Sequence, residues 1–65
     1  MMTSRDFILQ IATAMNKRPE QMEKYISALE DNMIESAQDM KGLSGQDYKD
    51  MGFPIGLVKK ITQRL

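Results

Sequence analysis

The stretch Leu43-Ser44-Gly45-Gln46-Asp47-Tyr48-Lys49-Asp50-Met51-Gly52-Phe53-Pro54-Ile55-Gly56 carries three of the chain's 4 glycines and one of its 2 prolines. Ser44 followed three residues later by Asp47 predicts a helix start, because the hydroxyl and the acid can each satisfy one of the first unpaired backbone N–H groups. Tyr48 and Met51 then share one face. Gly52 predicts the end of that helix, and Pro54 predicts the first turn of the next. Leu57, Val58, Ile61 and Leu65 recur at helical spacing behind it and form one apolar stripe. Leu43, an isolated apolar residue between two turns, is expected to point into the core, as is Tyr48.

Upstream of this stretch the punctuation thins. Ser36 reads as an N-cap, residues 37–41 as a short helix, and Gly42 as its left-handed terminator. Pro19 opens a longer helix, with Glu20 and Glu23 at its positive end and Met22, Tyr25, Ile26, Leu29 and Met33 as its apolar stripe. The first helix starts at Thr3 or Ser4, where Asp6 completes a cap-like spacing. It buries Phe7, Ile8, Ile11, Ala12 and Met15 and breaks at Asn16-Lys17-Arg18. No segment alternates with β-branched residues, so no sheet is expected. The expectation is an all-α, compact five-helix bundle. Residues 3–65 would form one domain, with Met1 and Met2 frayed.

Composition narrows the function classes. A chain of 65 residues makes one domain and buries only about 60% of its unfolded surface. Cys and His are both absent, which removes disulfide staples and the usual zinc ligand sets; neither cofactor nor metal is expected. Nor can a nucleophile–His pair be assembled, and the glycine spacing fits no phosphate-binding loop, so an enzyme is not expected. No apolar run approaches the roughly 18 residues of a membrane span, and residues 1–6 lack a signal-peptide pattern. The expected setting is intracellular and cytoplasmic. Seven Met is a high count, and Met22, Met33 and Met51 are expected to fill the core.

The residues 43–53, with Gly56 and the apolar and basic run Leu57-Val58-Lys59-Lys60-Ile61, resemble the sterile alpha motif (SAM) family. That family shows Leu, a Ser or Thr cap, an acid, an apolar residue, a charged pair, then apolar–Gly–apolar, and a second Gly before an apolar and basic last helix. Tyr25, Leu29, Glu30, Asn32 and Ile34 are similar to its second-helix stretch, so the likeness runs from about Met22 to Leu65. The resemblance implies a five-helix interaction module that joins another SAM domain, or itself, head to tail. In such a contact an acidic middle surface meets the start of another copy's last helix. On the matching positions the middle surface draws on Glu35, Asp39, Asp47 and Asp50. The end-helix surface draws on Phe53, Pro54, Ile55, Gly56, Lys59 and Lys60.

Charge order supports two unlike surfaces. Net charge is zero, yet residues 29–50 hold six acids and two bases, and residues 51–65 hold three bases and no acid. Opposed patches on one small domain permit a heterologous contact that propagates unless it closes a ring. Solvated helix ends explain part of the same pattern: Asp47 is expected to act first as a cap, and Gly52 and Gly56 to serve backbone geometry. Some SAM domains bind RNA hairpins, and Lys59 and Lys60, joined by Lys17 and Arg18, are the residues here for that alternative. Nine acids matching nine bases disfavour nucleic acid as a partner. A membrane partner is disfavoured because no helix pairs a basic face with bulky aromatics.

Overall fold

A computed structural model describes residues 2–65. These residues form an all-α globule of five helices: α1 Ser4–Ala14, α2 Glu23–Asp31, α3 Ala37–Met40, α4 Gly45–Asp50 and α5 Ile55–Arg64. A 3-10 turn, Pro19–Met22, leads directly into α2. So Pro19 does open the second helical segment, but as a tighter first turn, a common helix start. The described residues contain no strand, only an isolated bridge between Thr3 and Ser36. The Cα radius of gyration is 10.4 Å, against about 11 Å for a compact chain of this length, so no arm stands away from the body.

One apolar cluster holds the helices together. Phe7, Ile8, Ile11 and Ala12 come from α1, Ile26 and Leu29 from α2, Met40 from α3, Tyr48 from α4, and Leu57 and Ile61 from α5. Met22 and Phe53 complete it from the connections. α1 is the hub, packing on the 3-10 turn and on α2, α3 and α5, while α4 packs on α5. The stripes expected for α1 and α5 face the core as a period of 3.6 requires, with Met15, Val58 and Leu65 half-buried at their edges. Tyr48 is 0% exposed. Its hydroxyl donates to the Met40 carbonyl at 3.2 Å, which satisfies the one polar atom it takes inside. Burial, with the Asp47 charge as a smaller cause, pushes the Tyr48 hydroxyl above the ordinary tyrosine value.

Side chains start three of the helices. The Thr3, Ser36 and Ser44 hydroxyls accept the N–H groups of Asp6, Asp39 and Asp47 at 3.0, 3.0 and 3.2 Å. Asp47 returns the bond, its Oδ2 accepting the Ser44 N–H at 2.9 Å, so the expected reciprocal cap is present. Ser4 is the one buried polar residue among the described residues; its hydroxyl donates to the Ile34 carbonyl at 2.9 Å and its N–H to the Glu35 carbonyl at 2.9 Å. Arg5 straps α1 to both ends of α2, meeting Glu23 at 2.8 Å and Glu30 at 3.4 Å. Hydrogen bonds to Glu23 first and Glu30 second hold its guanidinium above the usual value.

Three helices stop by the same device. α1, α2 and α4 end with Asn16, Met33 and Gly52 in the left-handed region, at φ 60°, 62° and 84°. In each case the left-handed residue's N–H returns to a carbonyl of the last turn: Asn16 to Thr13, Met33 to Glu30, Gly52 to Lys49. The next N–H along the chain reaches one residue further back: Lys17 to Ala12, Ile34 to Leu29, Phe53 to Tyr48. These paired bonds are the Schellman closure.

Several expectations need correcting. Met33 lies beyond α2, in the closure, and is 77% exposed instead of filling the core. Met51 is half-buried and packs against the cluster, as does Leu43. Gly42 does not enter the left-handed region; the Gly42 and Leu43 N–H groups bond to Asp39 and Met40, so the chain leaves α3 through 3-10-type turns that require no positive φ. Met2 is not frayed: its carbonyl accepts the Ala37 N–H at 3.1 Å and its side chain packs against the core. The expected fraying of Met1 lies outside the described residues.

Candidate interaction surfaces

The closure of α2 and one face of α4, with Leu43 before it and Met51 after it, border a cleft of about 300 Å³, lined by Asn32, Ile34, Leu43, Asp47, Asp50 and Met51. Its apolar part, Ile34, Leu43 and Met51, is half-buried, whereas both acids are exposed. The Asp50 carboxylate accepts from the Gln46 side chain at 2.8 Å, which orients it on the α4 surface. Asp47 serves as cap and rim together, since its second oxygen is not used by the Ser44 N–H. Glu35 and Asp39 do not line this cleft. They sit at the start of α3, where the Glu35 N–H donates to Asp39 Oδ2 at 3.2 Å. The four expected acids therefore fall into two pairs, and only Asp47 and Asp50 frame the cleft.

A larger groove, about 540 Å³, runs between the α1–α2 connection and the start of α5. Met15, Lys17, Lys24 and Tyr25 line one side of it; Pro54, Gly56 and Leu57 line the other, and Glu20 also borders it. Sequence reading placed Pro54 and Gly56 on the end-helix surface but missed Tyr25 and Lys24. They lie some thirty residues upstream in the chain, and only folding brings them alongside.

Phe53, expected on the end-helix surface, is 6% exposed, so its ring offers almost no surface to a partner. The residue after a Schellman glycine turns back over its own helix. The Phe53 ring accordingly sits 5.5 Å from Tyr48 and 5.1 Å from Tyr25. Tyr25 in turn carries Lys24, whose ammonium is 5.2 Å from its ring centre. Phe53 thus braces the groove wall from behind.

Ile55, directly on the groove edge between Pro54 and Gly56, is 76% exposed. Lys59 stands one helical turn further on the same face, and Lys60 beside it; both are exposed. No side chain caps α5 and its first turn holds no acid, unlike α1, α3 and α4. Its N-terminal partial charge adds to Lys17, Lys24, Lys59 and Lys60, with Glu20 as the one opposing group in the groove.

Among the described residues, no three His, Cys, Asp or Glu side chains are grouped to hold a metal ion, and no helix is long and apolar enough to cross a membrane. Comparison with protein-family models, curated proteins and solved structures finds no match to this chain.

Proposed function

We propose that this chain is a non-catalytic association module of the SAM type. It would bind a second copy of itself, or another SAM domain, head to tail, and so scaffold or oligomerise a larger parent protein. The observation that carries the reading is the pairing of an acid-rimmed cleft of half-buried apolar residues with an exposed isoleucine that has a lysine one turn away. Ile55 of one copy enters the cleft of the next and covers Ile34, Leu43 and Met51. Lys59 and Lys60 then come against Asp50 and the outer oxygen of Asp47. Burying an aliphatic side chain contributes about 1.5–3 kcal/mol. The opposed charges steer encounter and fix register more than they add affinity. Because the two surfaces differ, each copy keeps one of each sort after pairing, and the contact propagates.

The RNA-hairpin reading gains one observation: Lys17 lies beside Pro54 and Gly56, so bases converge at the start of α5. Glu20 in the same groove and a net charge of zero favour the protein partner.

Sedimentation over a concentration series, at low and high salt, tests the ranking. Mass is expected to rise with concentration and fall with salt, and Lys59→Glu is expected to remove the rise. Two blocked variants should each be monomeric: Asn32→Lys with Asp50→Lys at the cleft, and Ile55→Asp with Lys59→Glu at the end helix. Mixed, they should form a one-to-one dimer through the intact surface on each. A chain that stays monomeric at every concentration and binds a hairpin RNA would sink self-association in favour of RNA.

A further inference from the structure

The two large apolar side chains that stand exposed among the described residues are Ile55 and Met33. Each stands beside a hollow. Ile55 is flanked by Pro54 and Gly56, both lining the groove. Met33 is flanked by Asn32 and Ile34, both lining the cleft. One surface therefore presents a knob next to a cleft, and the other a knob next to a groove. We propose that Met33 is the second anchor of the contact, and that its socket is the groove between Tyr25 and the start of α5 on a second copy. This rests on the head-to-tail reading and adds to it. When Ile55 enters the neighbour's cleft, the neighbour's Met33 comes down over the groove beside Ile55.

Chemistry favours this occupant. Met33 sits in the longest acid-only part of the chain: from residue 25 to residue 40 there are four acids and no Lys or Arg. The groove rim carries Lys17 and Lys24. A methionine sulfur gains from an aromatic neighbour, and Tyr25 supplies one in a wall already braced by Phe53. Its flexible thioether also suits an irregular, half-open hollow. The backbone provides a second reason. Met33 holds a φ of 62°, a region that costs a residue with a Cβ about 1–2 kcal/mol. Glycine closes α4 in the same geometry without that cost. A large apolar side chain held outward from such a position has no role in the fold that the core or the closure bonds explain.

The mixed blocked variants isolate the claim, because in that dimer only one Met33 lies at the contact. Met33→Gly in the end-helix-blocked copy, whose cleft surface is intact, is expected to weaken the one-to-one dimer about tenfold or more by titration calorimetry. The same change in the cleft-blocked copy is expected to leave the dimer unchanged. Glycine suits the closure, so loss of folding does not confound the result, and circular dichroism melts check it. Equal dimer affinity with and without Met33 in the first copy overturns the second anchor while leaving the head-to-tail reading in place. Weakening from either copy alike overturns it too, because that effect does not come from the contact. Failure of the blocked pair to form any dimer overturns both.

Discussion

α2 and α4 stop with the same two backbone hydrogen bonds and a left-handed residue, yet one uses Met33 and the other Gly52. The residue after each closure has a different fate as well. Phe53 is buried between Tyr48 and Tyr25, whereas Ile34 is half-buried and lines the acidic cleft. The α4 end is built for stability: a residue without a Cβ where φ is positive, then a large ring driven into the core. The α2 end accepts backbone strain and leaves two apolar side chains near solvent. Identical hydrogen bonding therefore does not mean identical purpose. The difference lies in which side chains the closure turns inward and which it turns outward.

The largest expected effect comes from removing the inward ring. Phe53→Ala should cost about 3–5 kcal/mol of stability, the range for truncating a buried aromatic, and should loosen Tyr25 and with it the groove wall. Urea unfolding followed by circular dichroism measures the first, and tyrosine fluorescence follows the second. Ile34→Ala is the matching change at α2 and should cost clearly less. Equal losses would mean that both closures are anchored alike. Next in size is Gly52→Ala. A Cβ at Gly52 would meet nothing within 4 Å, so the penalty is that of the backbone alone, about 1–2 kcal/mol. A neutral result in the same unfolding assay would show that α4 can end without its left-handed residue.

Much of this was legible from the residues. Ser44 with Asp47 foretold the reciprocal cap, because the chemistry of a helix start is local. Gly52 foretold the α4 closure, because glycine marks positive φ. The apolar stripes of α1 and α5 foretold their buried faces. Asn16 is legible only as a break, and Met33, four residues after Leu29, fits the α2 stripe by spacing although it lies beyond the helix. Nothing in a methionine announces a left-handed backbone, so helical spacing continued past the point where the chain turned. Phe53 misled in the opposite direction. The family resemblance puts it on the end-helix surface, but the closure folds it back onto α4. The acids split for a related reason: Glu35 and Asp39 are near Asp47 in sequence, but the α3 turns carry them to the Thr3–Ser36 side of the molecule. Lys24 and Tyr25 meet α5 only through tertiary packing, which no local spacing encodes.

The smallest expected shift in stability is also the one that separates the two closures most sharply. Met33→Gly should raise stability by about 1 kcal/mol, because it relieves the left-handed strain at the cost of some unfolded-chain entropy. Self-association itself stabilises the folded state, so the measurement belongs at low protein concentration and high salt, where copies are apart. Under those conditions the denaturation midpoint should move up with no change in slope. If stability falls instead, the Met33 side chain is packing within its own molecule, and the outward role argued for the α2 closure is lost. If stability rises while association weakens, one substitution has exchanged binding for folding. The two closures then differ because α2 gives up stability to hold a side chain in solvent, and α4 does not.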